Sequence, residues 1–334
     1  MTNEFENDLP ETDELLRELN TLLQEEDATP QSEDAPSMEE AYPEEYFDDD
    51  PYPEEKPARK KRIGKIVYYS LNGLFSTVFI VSGIYLISYF VQSKEQTAQY
   101  DDLASRVESI RKEQLENTGN SSVQDATDPD STEYTGPYAD ILPEYRDVYA
   151  QNNDLVGWIK IDGTAIDYPV MQTPNNKDYY LDHDFNHQAS TWKYIRSCIY
   201  VRESCDVFTP SDNVTIYGHY MQDGTMFHDL HGYYSSSFYK EHQYIQFDTI
   251  YERHTYQIIG IFKTSANVGE GFAYHLFDYA TSEAEFNTFI DTVQSLQLYW
   301  TGVDAEYGDM LITLSTCEYS QDNGRLVVVA KRIS

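Results

Sequence analysis

The chain has 334 residues, a length that is enough for one or two domains with additional segments. Its formal net charge at neutral pH is −35. This acidity argues against a nucleic-acid-binding protein, because contacts with phosphates need clustered lysine and arginine. The cysteines are Cys198, Cys205 and Cys317, and their odd number leaves at least one free thiol if the chain lies outside the cell.

The N-terminal segment is strongly acidic. Residues 1–57 contain 21 Asp and Glu against only Arg17 and Lys56, a net charge of −19, with frequent prolines and few aliphatic residues after Leu23. Such a segment cannot bury enough apolar surface to offset its ordering entropy, so residues 1–62 are predicted to be a disordered cytoplasmic tail. Five leucines between Thr12 and Asp27 share one helical face, which is typical of either a fraying helix or a docking helix for a cytoplasmic partner.

An uncharged segment follows the tail. No residue from Ile66 to Gln92 is charged, and about 20 apolar residues are enough to span a bilayer as a helix, so a transmembrane helix is predicted over 63–92. Its position after sixty residues argues against a cleaved signal peptide. The basic cluster Arg59-Lys60-Lys61-Arg62 precedes it, so the positive-inside rule predicts a cytoplasmic N-terminus and an extracytoplasmic remainder in a single-pass protein of the cell membrane.

Residues 93–135 are predicted to form an extracytoplasmic juxtamembrane helix and a linker. Apolar residues recur at helical spacing over less than two heptads, too few for a firm coiled coil. Residues 117–135 are rich in Asn, Gly, Ser, Asp and Thr and are predicted to be a flexible spacer. The residues at helical spacing in the predicted juxtamembrane helix form a stripe that consists of Tyr100, Leu103, Val107, Ile110 and Gln114.

The remainder, 136–334, is predicted to be one mainly β domain. One or two helical turns are expected in Tyr138–Asn152, followed by about eight short alternating runs that predict a β-barrel or sandwich. A long helix over about 282–297 interrupts them, since Ser282 and Glu285 form a capping box before an apolar helical face. The predicted strands are Val156–Ile161, Ile166–Met171, Ile195–Val201, Asn213–Tyr217, Tyr244–Thr249, His254–Phe262, Met310–Thr316 and Leu326–Lys331.

Cys317 lies at the end of the seventh predicted strand, where catalytic groups of a rigid sheet are often found. A thiol becomes a strong nucleophile only when it is deprotonated, so it needs a histidine or a cation nearby. His219 ends the apolar run Ile216-Tyr217-Gly218 and is a candidate base or a structural histidine. Arg325 begins the last strand and is a candidate oxyanion stabiliser or an ordinary strand-end arginine.

The remaining motifs do not support a cofactor. The sequence contains no HExxH, CxxC or phosphate-binding glycine loop, so neither a metal nor a nucleotide is expected. Cys198 and Cys205 do not match a zinc pattern. They form either a disulfide or, as we favour, two buried free thiols.

Several of these segments together resemble the sortases, which are membrane-anchored cysteine transpeptidases of Gram-positive bacteria. The family motif is Thr313-Leu314-Ser315-Thr316-Cys317 with Arg325 downstream and Tyr217-Gly218-His219 upstream. The match to class B rests on Asn153–Ile159, Ile166–Gln172, Gly218–Met221, Asp223–Phe227 and the helix 282–297. The resemblance covers about residues 138–334 and implies an eight-stranded sortase-type barrel.

The resemblance also implies an activity. Cys317 would attack the threonine carbonyl of a C-terminal sorting signal of the Leu-Pro-x-Thr-Gly or Asn-Pro-x-Thr-Asn kind, and His219 would protonate the leaving amine. An amino group of a peptidoglycan precursor would then resolve the thioester and anchor the surface protein to the wall. Arg325 and a backbone N–H, that of Glu318, would hold the thioacyl oxygen. Ser315, Thr316, Glu318 and Tyr220 are the expected substrate-binding residues.

Three features depart from the family pattern, the first of which is the segment from Ser190 to Cys205, which is less regular than the glycine-led strand usual in the family. Tyr220 stands where class B members usually have asparagine, which is expected to alter the groove wall more than the chemistry, and the acidic tail is longer than most. Two alternatives stay open. The first is a pilin-polymerising sortase with a lysine acceptor, although Asp128-Pro129-Asp130 lacks the aromatic residue of a lid motif. The second is a non-catalytic membrane-tethered adhesion module in which Cys317 is buried and structural.

Overall fold

The computed structural model describes residues 60–120, 138–190 and 197–334, and the side chains of residues 65–117, 138–190 and 197–334. The acidic tail up to residue 59, its leucine-rich segment and the spacer from residue 121 lie outside the described residues. The chain divides into the units Met1–Lys65 and Ile66–Ser334, and the second is one compact unit that holds all the strands.

The first helix, α1 (Lys60–Asn120), is one continuous element. Within the described residues it is the one helix that is long and apolar enough to cross a membrane, with a mean hydropathy of 2.0 in its apolar window. Its apolar side chains up to Val91 are almost all exposed, whereas Tyr100, Leu103 and Val107 are buried. The stripe predicted for a separate juxtamembrane helix therefore lies on the same helix and packs against the barrel.

Eight strands form a closed barrel, which confirms the predicted fold. The order around the barrel is β1-β2-β3-β4-β7-β8-β6-β5, with β2–β3 and β4–β7 parallel and the other neighbours antiparallel. The strands are β1 (Leu155–Lys160), β2 (Asp167–Met171), β3 (Ile199–Val201), β4 (Asn213–Tyr217), β5 (Tyr244–Thr249), β6 (Thr255–Ser265), β7 (Leu311–Glu318) and β8 (Gly324–Arg332).

In the described part of the chain, three further helices follow α1. They are α2 (Pro143–Gln151), α3 (Ser236–Glu241) and α4 (Glu283–Leu296). Short 3-10 turns lie at Tyr179–Leu181, His228–Tyr234 and Tyr274–Leu276. The predicted cap of α4 is present, because Ser282 Oγ accepts a hydrogen bond from Glu285 N, while the Glu285 carboxylate accepts one from Thr281 N.

The apolar residues form two cores. The larger fills the barrel and its contact with α1 and α2, and the smaller lies between α4 and the outer faces of β6, β7 and β8. Gly260 permits the second contact, since a Cβ there would lie 2.4 Å from Val293 Cγ1. Because both faces of β7 are covered, Leu311, Ile312 and Leu314 are all buried, and the strand that carries the cysteine is held rigidly.

Candidate active site

The parallel pairing of β4 and β7 brings two of the predicted residues to one end of the barrel. Tyr217 pairs with Ser315, and Gly218 N donates a hydrogen bond of 3.1 Å to Ser315 O, one residue before His219 and two before Cys317. A side chain at position 218 would displace its neighbours, because a Cβ there would lie 2.5 Å from Ile199 and 2.6 Å from the Phe227 ring. The tight turn after β4 therefore fixes where His219 leaves the sheet.

His219 is held in a defined tautomer. Its side chain is buried, and Nε2 lies 2.7 Å from the carbonyl oxygen of Leu181. A carbonyl only accepts hydrogen bonds, so Nε2 carries a proton and Nδ1 is the basic nitrogen of the neutral ring. Burial lowers the pKa of His219 below its ordinary value, and the charge of Arg325 lowers it further, against the opposing effects of Leu181 and Asp182. The ring is therefore neutral at neutral pH.

Arg325 lies directly opposite Cys317 in the antiparallel pair β7–β8. Side chains at such positions are on the same face, with Cβ atoms about 4.5–5.5 Å apart. The guanidinium Nη1 donates to the carbonyl oxygens of Asn323 (3.2 Å) and Gly324 (2.9 Å). No carboxylate among the described residues forms an ion pair with Arg325, so its charge is available to a ligand beside the thiol.

These groups share one cavity of about 480 Å³. Cys317 is half-buried in its wall, while Ser315 contributes a hydroxyl that is 2.6 Å from Tyr274 Oη. The sequence prediction for Cys317, His219, Arg325 and Ser315 thus corresponds to one concave site. The lining also includes Lys177, Asp178, Leu181, Tyr200, Arg202, Glu203, Tyr217, Gly218, Ala266, Tyr274, His275, Leu276 and Asn323.

The side chains of three other predicted residues are elsewhere. Thr316 is buried, and Glu318 points away from the cavity to bind Lys263 Nζ at 3.2 Å and Ser320 N at 2.9 Å. Burial by itself raises the pKa of Glu318, but the bonds from Ser320 and Lys263 outweigh it and lower that pKa. Tyr220 is likewise absent from the described lining of the cavity.

Tyr220 takes part in a contact that the sequence does not reveal. Its ring stacks on His231 with centroids 3.9 Å apart, and His231 Nε2 donates a hydrogen bond of 2.9 Å to the Cys317 carbonyl. Burial is the main cause of the lowered pKa of His231, so its ring is neutral near pH 7. The pair links the residue after His219 to the backbone of Cys317. No local pattern predicts this, because His231 and Cys317 are 86 residues apart.

The other two cysteines are buried free thiols, as we favoured from the sequence. Cys198 contacts Tyr100 Oη at 3.2 Å, while Cys205 lies 3.4 Å from an Asp278 carboxylate oxygen. Burial raises the pKa of both thiols, that of Cys205 to about 12. Both are therefore uncharged and poorly reactive. Within the described part of the chain, no three His, Cys, Asp or Glu residues are grouped as metal ligands.

Known proteins resemble this chain in sequence. The family model described as "Sortase domain" matches residues 159–333. The chain is 27% identical to sortase B of Staphylococcus aureus over 262 residues, which is 78% of this chain and 94% of that protein. It is 30% identical to sortase B of Listeria monocytogenes over 203 residues, 60% of this chain and 78% of that protein.

The fold is similar to solved structures as well. The structure titled "Staphylococcus aureus sortase B-substrate complex" superposes with a TM-score of 0.59 at 27% identity, covering 73% of this chain and 99% of that one. The similarity therefore extends over nearly the whole of that chain.

Proposed function

The chain belongs to the sortase family of cysteine transpeptidases, and we propose that Cys317, His219 and Arg325 carry its reaction on the C-terminal sorting signal of a surface protein. The observation that carries the proposal is one cavity lined by a half-buried thiol, a neutral imidazole and a guanidinium that forms no ion pair with a carboxylate of the described residues. These are a nucleophile, a base and an oxyanion stabiliser, the three groups that acyl transfer requires.

In the first half-reaction, the Cys317 sulfur attacks the carbonyl carbon of the signal's threonine after its proton passes to His219 Nδ1. The imidazolium is stabilised because its Nε2–H already donates to the Leu181 carbonyl. The guanidinium of Arg325 receives the oxyanion. The C–N bond then breaks, the proton returns from His219 to the leaving amine, and a thioester remains on Cys317.

In the second half-reaction, an amine attacks the thioester. His219 takes a proton from the attacking nitrogen, and the C–S bond breaks as the new amide bond forms. His219 then returns that proton to the released thiolate, which regenerates the thiol and the neutral imidazole. The proposed acceptor is an amino group of a peptidoglycan precursor. The apolar length of α1 supports a single-pass membrane anchor, and the basic residues before it support a cytoplasmic N-terminus with the barrel outside the cell.

Cleavage of a panel of sorting-signal peptides tests this proposal. The full-length protein in detergent micelles is incubated with fluorogenic peptides of the Leu-Pro-x-Thr-Gly and Asn-Pro-x-Thr-Asn kinds, and the acyl-enzyme is detected by mass spectrometry. We expect one peptide class to be cleaved after threonine, with the acyl group on Cys317. Cleavage that persists in Cys317→Ala would refute the assignment of the nucleophile.

The two open alternatives are separated in the same assay. Adding either an oligoglycine or a peptide with only a lysine side-chain amine shows which acceptor resolves the thioester, and we expect the first. A non-catalytic adhesion module would cleave no peptide in the panel and form no acyl-enzyme. Cys198→Ala is the matched control, since that thiol is buried outside the cavity and its loss should leave the acyl-enzyme intact.

A further inference from the structure

The part of α1 beyond the apolar segment lies along the barrel and contacts it from one end to the other. At the first turn after Gln92, Ser93 Oγ donates a hydrogen bond of 2.7 Å to the Asp223 carboxylate. One and two turns later, Gln96 Nε2 (2.8 Å) and Tyr100 Oη (2.9 Å) both donate to the carbonyl of Ser197, which lies two residues before β3. The helix is therefore fixed to the barrel as soon as its apolar segment ends.

The far part of α1 contacts the other end of the barrel. Arg111 Nη2 lies 2.5 Å from the Asp248 carboxylate on β5, and Gln114 accepts a hydrogen bond from Arg253 in the β5–β6 turn. Glu144, whose side chain is fully buried, pairs with Arg253 at 2.5 Å. The buried Glu144 carboxylate also lies 3.5 Å from Arg111 Nε, so one buried charge is shared by α1 and the β5–β6 turn, and its removal would leave two arginines without this partner.

The strand registers show that the cavity and the β5–β6 turn lie at opposite ends of the barrel. Cys317 pairs with Arg325 at one end of β7–β8, whereas Leu311 pairs with Lys331 at the other. Tyr256, at the start of β6, pairs with Arg332, so the β5–β6 turn lies at the end away from the cavity. Asp223 follows His219 in a loop that returns through the hydrogen bond from Phe227 N to His219 O, so it lies at the cavity end.

The helix sets the distances from the membrane. The uncharged residues 66–92 span about 40 Å at 1.5 Å per residue, enough for the hydrocarbon core and most of both headgroup layers. Ser93 is then at the headgroup boundary, and Arg111 is about 27 Å farther along the axis. The helix is continuous from Lys60 to Asn120, so no hinge separates the two parts.

We propose that α1 holds the cavity end of the barrel against the outer lipid surface, with the loop of residues 220–226 as the contact with lipid headgroups. The proposal rests on α1 crossing the membrane. The loop is suited to a headgroup layer, since Gln222 and Gly224 are uncharged and the Asp223 carboxylate is bonded to Ser93 and Thr225. The net charge does not favour attraction to an anionic lipid surface, because residues 138–334 carry 27 acidic and 12 basic side chains, a net charge of −15.

This arrangement places the cavity where a peptide that is itself held at the membrane can enter it. A substrate with its own apolar anchor would meet Cys317 without leaving the lipid surface, whereas the opposite end of the barrel would face away from the membrane. The contact surface adds a lipid partner to the reaction described above and does not depend on which signal is cleaved.

Fluorescence quenching in vesicles tests the orientation. Full-length Cys317→Ala protein, whose other two cysteines are buried, carries an added cysteine at Gln222→Cys or, as the matched control, at Glu252→Cys in the exposed β5–β6 turn. Each is labelled with bimane and reconstituted in phosphatidylcholine vesicles that contain headgroup spin-labelled lipid. We expect several-fold stronger quenching at position 222 than at position 252. Equal quenching, or stronger quenching at position 252, would overturn the proposal.

A second variant tests the role of the helix. A Gly-Ser-Gly-Ser insertion between Gln92 and Ser93 keeps the apolar segment and the barrel but breaks the continuity of α1. The difference between positions 222 and 252 should then disappear, and a difference that survives would show that α1 does not set the orientation. The readout needs no catalysis, so its failure and the failure of the proposed reaction are separate results.

Discussion

Two substitutions of Arg325 distinguish the contribution of its charge to catalysis from that of its planar guanidinium. In the structure, two backbone carbonyls hold Nη1, and no described carboxylate neutralises the guanidinium that faces Cys317. Loss of one oxyanion donor typically costs about 10²–10³ in kcat, or about 2.7–4 kcal/mol, and we expect a loss of this size for Arg325→Gln. Arg325→Lys keeps the charge but not the planar fork, so it should lose about tenfold or more, since one hydrogen bond to a charged group contributes about 1.5–3 kcal/mol.

The assay is the rate of acyl-enzyme formation in single-turnover peptide cleavage, with kcat and KM measured separately. The loss should fall on kcat, because the oxyanion exists only after attack on the carbonyl. Arg332→Gln, at the far end of the same strand, is the matched control and should stay near the wild-type rate. Unchanged kcat in Arg325→Gln, or a loss that lies wholly in KM, would refute the reasoning, provided that thermal unfolding shows the variant to be folded.

Three further predictions follow from the site. A methanethiosulfonate reagent should modify Cys317 in the native protein. It should modify Cys198 and Cys205 only after denaturation, because these two residues are 1% and 5% exposed. Modification of all three thiols at similar rates would contradict the described burial. His231→Phe should lower kcat about three- to tenfold with little change in KM, as the loss of one hydrogen bond of about 0.5–1.5 kcal/mol predicts. His231→Gln should retain part of the kcat that His231→Phe loses. Equal losses of kcat in both variants would argue for a packing role. Stability should decrease as pH falls from about 6.5 to 5, since burial lowers the folded-state pKa of several histidines and the unfolded chain then binds more protons. A melting temperature that is constant over that range would be contrary to the burial of His219, His231, His254 and His275.

The strands and the helix α4 were predictable because their signals are local. Alternation of apolar and polar residues gave the strand positions, and the Ser282–Glu285 box gave the start of α4 within one residue. The continuity of α1 also had a signal that the sequence interpretation did not use. The appearance of charges after Gln92 marks the end of a membrane environment, but it does not end a helix. No glycine or proline lies between Gly83 and Gly119, so nothing interrupts the backbone hydrogen bonds.

The arrangement of the site was less accessible from the sequence. His219 and Arg325 could be selected because each stands at the end of an apolar run, and the resemblance to a family reinforced both. The parallel pairing of β4 with β7, which brings Gly218 and Ser315 together, is a long-range contact that periodicity does not encode. The direction of a single side chain is equally hidden, and for this reason Glu318 was expected at the substrate and instead bonds to Lys263.

The electrostatics of the site also explain why the thiol and the imidazole need a third group. Burial and Arg325 both lower the pKa of His219, so the imidazolium that a resting thiolate–imidazolium pair requires is disfavoured. In the proposed reaction, the same arginine would stabilise the negative charge of the oxyanion, because it lies across the strand pair from Cys317. Arg325 would thus oppose the charged base before the substrate binds and favour the anionic state that forms after the attack begins. The imidazole of such a site is neutral at rest, and the oxygen of the peptide carbonyl receives the negative charge.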